Sequence, residues 1–169
     1  PQAWEQAFGA MPVLNLGFGW DRTQNVLWRL SHGEFDGLHP KTVVLNIGTN
    51  NLTGTGNARA NTPDEVVQGI LSIVDVVHAR SPESRIIVMG VFPRGFGPLT
   101  PMRAAIGEVN QLAARALAEK PKTTFLDIGA QFLEADGTLP KALMSDGTHP
   151  TGEGYKIWAK ALVDAGVRR

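Results

Sequence analysis

Cysteine is absent from the 169 residues, which excludes disulfides, thiolate catalysis and Cys-ligated zinc. That absence fits any compartment and selects none. An excess of either charge is absent too: Lys plus Arg and Asp plus Glu both number 16. With no basic run, the chain has no electrostatic footprint for nucleic acid or an anionic membrane surface. The longest apolar run, IIVMGVF (Ile86 to Phe92), is far short of the ~20 residues that span a bilayer. The N-terminus, PQAWEQAFGA, lacks the basic start and apolar centre of a signal peptide, and it lacks an initiator Met. A chain that begins this way reads as cut, trimmed or taken from partway along. What is present, 43% hydrophobic and 19% charged residues, is ordinary for a globular protein of one-domain size.

Short β-rich runs alternate with longer helical patterns. PVLNLG (Pro12 to Gly17), TVVLNIG (Thr42 to Gly48), RIIVMGVF (Arg85 to Phe92) and TTFLDIG (Thr123 to Gly129) read as strands. They are nearly continuous in Val, Ile and Leu, as expected of strands covered on both faces. Between them, helical patterns run over about Arg22–His32, Pro63–Arg80, Met102–Glu119 and Gly152–Val163. In the second, Val66, Val67, Ile70, Ile73, Val74 and Val77 recur at spacings of three and four, an amphipathic stripe opened by Pro63, Asp64 and Glu65. This alternation predicts right-handed βαβ units and a parallel sheet in a three-layer α/β/α sandwich. There is no internal repeat or linker, so residues 1–169 read as a single domain.

Ligands in such sheets bind at the loops leaving the carboxyl ends of the strands. After the first run, GFGWD (Gly17 to Asp21) permits a tight turn with outward N–H groups, and Asp21 with Gln24 has capping-box spacing, so a helix is expected to start at Asp21. The turn reads equally as an anion or oxyanion site and as a plain capped βα turn. A dinucleotide fingerprint would need a third Gly near Arg22, and none is there. Asn50, in NIGTNNLTG, reads as a turn former or as an amide aimed at developing negative charge. Arg94, in VFPRGFGPLTP, reads as a salt-bridged surface arginine or as a cation lining a substrate cleft. In MSDGTHPTGEGY, Asp146 and His149 stand three apart, as caps of the last helix or as the acid and imidazole of a hydrolase. The other histidines, His32, His39 and His78, lie in separate segments, which argues against a metal site.

Taken together, these loops resemble the SGNH (GDSL) hydrolases, in the branch of the platelet-activating-factor acetylhydrolase catalytic subunits and related bacterial esterases. NLGFGWDRTQNVLWRLSHGEF is similar to the family's second block, GTNN to its third, FPRG to a branch signature and SDGTHPTGEGY to its fifth. The resemblance implies that His149 is the general base and Asp146 its orienting partner. It implies that Asn50 donates its side-chain amide, and Trp20 its backbone N–H, to the oxyanion. The family usually has Gly where Trp20 stands, so a Trp there would line or narrow the acyl pocket. Asp21 and Arg94 would border the substrate cleft. No metal or organic cofactor is implied.

The first block of the family, Gly-Asp-Ser at the exit of the first strand, is not in these residues. Ser31 sits at a helix end and Ser72 inside the amphipathic helix. Ser81 and Ser84 flank Pro82 at the opposite edge of the sheet, and Ser145 adjoins Asp146 too closely. The nucleophile is therefore expected upstream of Pro1. The family's sheet order is 2-1-3-4-5, which would put the missing strand between PVLNLG and TVVLNIG. QAWEQAFG (Gln2 to Gly9), with Trp4, Ala7 and Phe8 on one face, would end the helix that follows it. Without that strand, two apolar strands would carry unpaired backbone groups, and the 169 residues are expected not to fold alone.

The resulting expectation is a serine esterase acting on small acyl esters through an acyl-enzyme. Acetylated carbohydrates, short acyl esters and lysophospholipids are all permitted, and a homodimer stays open. The alternative is a catalytically inactive SGNH-like module that binds a glycan or a partner protein; a flavodoxin-like nucleotide binder stands third.

Overall fold

In the computed structural model, which describes residues 2–167, strands and helices alternate from Thr42 onward as the apolar periodicities predict. In chain order they are α1 (Gln2–Phe8), α2 (Thr23–Ser31), β1 (Thr42–Leu45), α3 (Pro63–Arg80), β2 (Arg85–Met89), α4 (Pro101–Leu117), β3 (Thr123–Leu126), a single 3-10 turn (Gly129–Phe132) and α5 (Gly152–Asp164). The fold is α/β, a parallel sheet flanked by helices. The chain divides into two compact units. One takes in residues 18–91 and 104–127; the other takes in 2–17, 92–103 and 128–167.

The first unit holds the sheet, in the order β1-β2-β3, with both pairings parallel. Thr42 is in register with Arg85 and Leu45 with Val88; Ile86 is in register with Thr123 and Met89 with Leu126. β2, in the middle, is buried from Ile86 to Met89. β1 has the same continuous apolar character but is only half-buried throughout. It pairs with β2 alone among the described residues, so its other edge carries no ladder.

α3 starts where its sequence says it should. Thr62 caps it by accepting the Glu65 N–H, the Glu65 carboxylate accepts the Thr62 N–H, and Pro63 fills the first helical position. The predicted stripe of six Val and Ile residues is the buried face. Each fully buried side chain of this size contributes roughly 1.5–3 kcal/mol by leaving water. α3 packs on α2. Gly69 is required at that crossing, because a β-carbon there would collide with the Thr23 side chain.

The second unit is built on α1 against α5. Ala3 and Phe8 are buried, and Trp4 lies tilted against Phe8 at 4.7 Å. Phe92 anchors the strand-exit loop here, tilted against Phe132 and edge-on to Trp158, both at 5.0 Å. Gly154 of the GEGY motif has no room for a side chain. A methyl group would lie 2.5 Å from the Leu143 carbonyl oxygen and 3.0 Å from Pro150.

Three expectations need correction. Residues 12–17 form no strand, and Val13 and Leu14 are exposed, Leu14 by 63%. A parallel strand exists only as half of a ladder, and this segment has no ladder partner among the described residues. The strands also end earlier than the apolar runs do, at Leu45, Met89 and Leu126, because the following residues leave the ladder to form the loops. Finally, α2 starts at Thr23 with Arg22 as its cap, not at Asp21, and it is Asn25 that accepts the cap N–H, at 3.0 Å. Asp21 is drawn away by Arg29, whose guanidinium grips both of its carboxylate oxygens.

Candidate active site

The loop between the 3-10 turn and α5 closes on itself through short-range bonds. Thr151 caps α5 by accepting the Gly154 N–H, while its own N–H donates to Leu143 and its hydroxyl to Ala142. Met144 is fully buried beneath. Asp146 and His149 are left on the outside, and the His149 side chain is 81% exposed. Gly147 turns between them at φ 73°, a left-handed conformation that glycine takes without strain.

The turn aims Asp146 at His149. One carboxylate oxygen accepts the backbone N–H of Thr148 at 2.9 Å and of His149 at 2.8 Å. The other meets the His149 Nδ1 at 2.7 Å. The imidazole bond first, then the two backbone N–H groups, hold the Asp146 carboxyl well below the usual carboxylate range. An ionised Asp146 can only accept, so Nδ1 carries a proton, and in the neutral ring Nε2 then keeps its lone pair. Nε2 has no partner among the described residues. This is the tautomer that a general base needs.

The candidate oxyanion donors lie in the other unit. Asn50 donates its side-chain amide to the Asp21 carbonyl at 3.1 Å, which uses one of its two N–H groups and fixes the amide's direction. Arg22 locks the surrounding loop: its guanidinium donates to the carbonyls of Asn50 at 3.0 Å, Thr53 at 2.6 Å and Arg59 at 2.9 Å. Asn51 is fully buried; its carbonyl oxygen accepts the Thr23 N–H, and its amide reaches Thr23, Gln24 and Asn61. Thus the first Asn of TNN presents an amide and the second builds the loop.

Trp20 is at φ 66° with its side chain exposed by 78%. Among the described residues only Trp20 and Lys122 combine a side chain with a left-handed backbone. The Trp20 N–H has no acceptor among the described residues. Asp21 is held by Arg29, which also pairs with Glu34 and lies over the Phe18 ring. Arg94, in the unit of the Asp–His turn, is half-buried and engaged.

None of the serines in the sheet unit has an idle hydroxyl. Ser31 donates to Trp28, Ser72 to Gln68, and Ser84 to Pro40, with Ser84 also against Ser81. Ser31 touches His32 Nδ1 at 3.0 Å, but that nitrogen is 2.7 Å from the Trp28 carbonyl and must carry a proton there. It cannot take one from Ser31. Among the described residues no group of three or more His, Asp or Glu side chains could hold a metal ion. No helix of the described residues is long and apolar enough to cross a membrane.

The profile of the GDSL-like lipase/acylhydrolase family matches residues 1–157. The chain belongs to that family. Among this GDSL-type chain's relatives, the human platelet-activating factor acetylhydrolase IB subunit alpha1 is 39% identical over 161 residues, covering 95% of this chain and 66% of the relative. The chain therefore spans just under two thirds of that relative's length. Solved structures share this fold too. A GDSL-like lipase from Bacteroides thetaiotaomicron matches with TM-score 0.75 at 24% identity, covering 97% of this chain and 80% of that one. An acetylxylan esterase from Geobacillus stearothermophilus matches with TM-score 0.75 at 20% identity, over 96% and 76%.

Arg22, Asn51 and Gly147 were not singled out by the sequence patterns. Arg22 reads as an ordinary first-turn residue, and its carbonyl partners are 28 to 37 positions away.

Proposed function

We propose that the protein carrying this chain is a serine esterase that hydrolyses small acyl esters through an acyl-enzyme. The observation that carries the reading is the Asp146–His149 pair: a carboxylate 2.7 Å from Nδ1, with Nε2 left as the accepting nitrogen. His149 takes the proton of the attacking serine hydroxyl, and Asp146 stabilises the imidazolium that forms. The proton then goes to the departing alkoxide. Water, deprotonated by the same nitrogen, releases the acid and restores the serine. The second N–H of Asn50 and the backbone N–H of Trp20 donate to the oxyanion in both steps. The exposed Trp20 ring lines the acyl pocket and favours small acyl groups. Asp21, through its carbonyl, orients Asn50, and Arg94 borders the substrate cleft.

The nucleophile in this reading lies on residues preceding Pro1, on a strand that pairs with the free edge of β1. Two observations support it: among the described residues β1 is continuous in apolar residues yet laddered on one edge only, and the hydroxyls of Ser31, Ser72 and Ser84 are spent on carbonyls. The human relative is named an acetylhydrolase and the Geobacillus structure an acetylxylan esterase, so acetyl groups on lipid or carbohydrate alcohols head the substrate class.

The test is a panel of p-nitrophenyl esters on the full-length protein, with a serine-directed phosphonate to label the nucleophile. Turnover of acetate and short-chain esters is expected, with the label on a peptide upstream of Pro1. A label on Ser145 would relocate the nucleophile. Absence of both label and turnover would favour a binding module.

A further inference from the structure

Arg103 lies in the first turn of α4, half-buried. Among the described residues its guanidinium donates to main-chain carbonyls only: Nε to Arg94 at 3.1 Å, and Nη2 to Gly95 at 3.2 Å and Gly137 at 3.3 Å. Among the described ion pairs none includes it. Burial accordingly pulls its pKa below the ordinary guanidinium value. Holding a cation away from water on carbonyls alone is costly, and only the planar fork's several charge-assisted bonds offset it. Such a costly arrangement calls for a reason.

The bonds lead to the Asp–His turn. Arg94 C=O and Gly95 N–H belong to one peptide group, and that N–H donates to the Gly147 carbonyl at 2.8 Å. Gly147 C=O and Thr148 N–H again belong to one peptide group, and that N–H donates to the Asp146 carboxylate at 2.9 Å. A cation is thus joined to a carboxylate through two peptide groups, each accepting on one side and donating on the other. Hydrogen bonds in such a chain polarise one another, so the charge at each end strengthens every link between. Both glycines take left-handed conformations, Gly95 at φ 80° and Gly147 at φ 73°. A methyl group on Gly147 would lie 3.5 Å from the Gly95 Cα, so the two turns fit closely.

We infer that Arg103 is a positioning residue for catalysis, acting on Asp146 through the Arg94–Gly95 and Gly147–Thr148 peptide groups. The inference rests on the esterase reading of Asp146 and His149. Arg103 touches no substrate. It sets the distance and the strength of the bond that Asp146 offers to the imidazole.

The test compares wild type, Arg103→Gln and Arg103→Lys in the full-length protein, by steady-state kinetics and proton NMR. In wild type the His149 Nδ1 proton should resonate far downfield of the amide envelope. In Arg103→Gln that resonance should broaden or vanish, and the Thr148 and Gly95 amide protons should move upfield. kcat should fall by on the order of 10²-fold, the scale for a displaced catalytic group, with KM nearly unchanged. Arg103→Lys, which keeps the charge and one bond, should recover part of both readouts. If Arg103→Gln fails to fold, the Lys variant carries the comparison, and it should shift the same two amides by a smaller amount. A folded Gln variant with the downfield proton, both amides and kcat all at wild-type values would overturn the inference. A wild-type protein with neither the downfield proton nor turnover would instead overturn the esterase reading.

Discussion

The two turns assigned to catalysis solve the same backbone problem with opposite residues. The Asp146–His149 turn needs a left-handed residue and has Gly147 there; the turn before α2 needs one and has Trp20. In the first, the bonds that Asp146 itself accepts span three residues or fewer, from the N–H groups and ring of the residues just after it. In the second, the shape is imposed from outside, by Arg29 on Asp21, Asn50 on the Asp21 carbonyl, and Arg22 on the loop that bears Asn50. A turn made largely by its own sequence needs one outside bond here, from the Gly95 N–H to the Gly147 carbonyl. A turn held by distant partners stores strain of about 1–2 kcal/mol, which the surrounding network must absorb.

The sharpest test of this contrast is at the self-made turn. His149→Ala in the full-length enzyme should reduce kcat by ~10⁴–10⁶-fold, because serine and base act as a unit. Asp146→Asn should cost ~10⁴-fold with the fold retained, as judged by circular dichroism. Ester turnover within tenfold of wild type in the His149 variant would refute the assignment. At the imposed turn the loss should be smaller. Asn50→Ala should lower kcat by about 10²–10³-fold with little change in KM, the size of one oxyanion donor among several. A rise in KM at constant kcat would make Asn50 a ground-state contact.

Trp20→Gly would turn the second turn into a copy of the first. The backbone N–H survives, so activity on acetate esters should persist. Thermal unfolding should report a gain of about 1 kcal/mol as the left-handed strain is released, offset in part by glycine's added freedom in the unfolded chain. Preference should move toward bulkier acyl groups. Loss of acetate turnover in a folded variant would contradict the pocket-lining role.

The smallest effect concerns pH. Arg59 first, then Asn61 and the Thr62 N–H, hold the Glu65 carboxyl at about 2, against an ordinary 4.5. The unfolded chain therefore binds this proton before the folded one does, and the contribution of Glu65 to stability is lost as pH falls from about 4.5 to about 2. Glu65→Gln should flatten the stability profile in that window alone, in urea titrations at stepped pH. An unchanged acid slope would show that the α3 cap does not report on folding. Asp146, held ionised further still, should add nothing to the acid limb of kcat/KM.

What could be read from the sequence follows the range of the interactions. The α3 cap and the Asp–His turn are written in consecutive residues, Thr62 to Glu65 and Asp146 to His149, so composition and spacing reveal them. The apolar stripe of α3 follows from its period. Arg22, Asn51 and Arg103 act on carbonyls and amides brought near only by folding, and nothing in their neighbours marks them. Asp21 misled for the same reason: its spacing from Gln24 fits a cap, but Arg29, eight residues on, competes for its carboxylate. Pro12–Gly17 has the composition of a strand, and composition cannot supply the ladder partner that makes one.

The open edge of β1 also has a consequence for handling the polypeptide. Thr42, Val43, Val44 and Leu45, three of them β-branched, present a short, half-buried row of backbone donors and acceptors at the strand repeat. Any extended segment can copy such a row, including the same row in a neighbouring molecule. Growth on that template is bimolecular, so protein concentration, more than temperature, should set how long a preparation of these 169 residues stays clear.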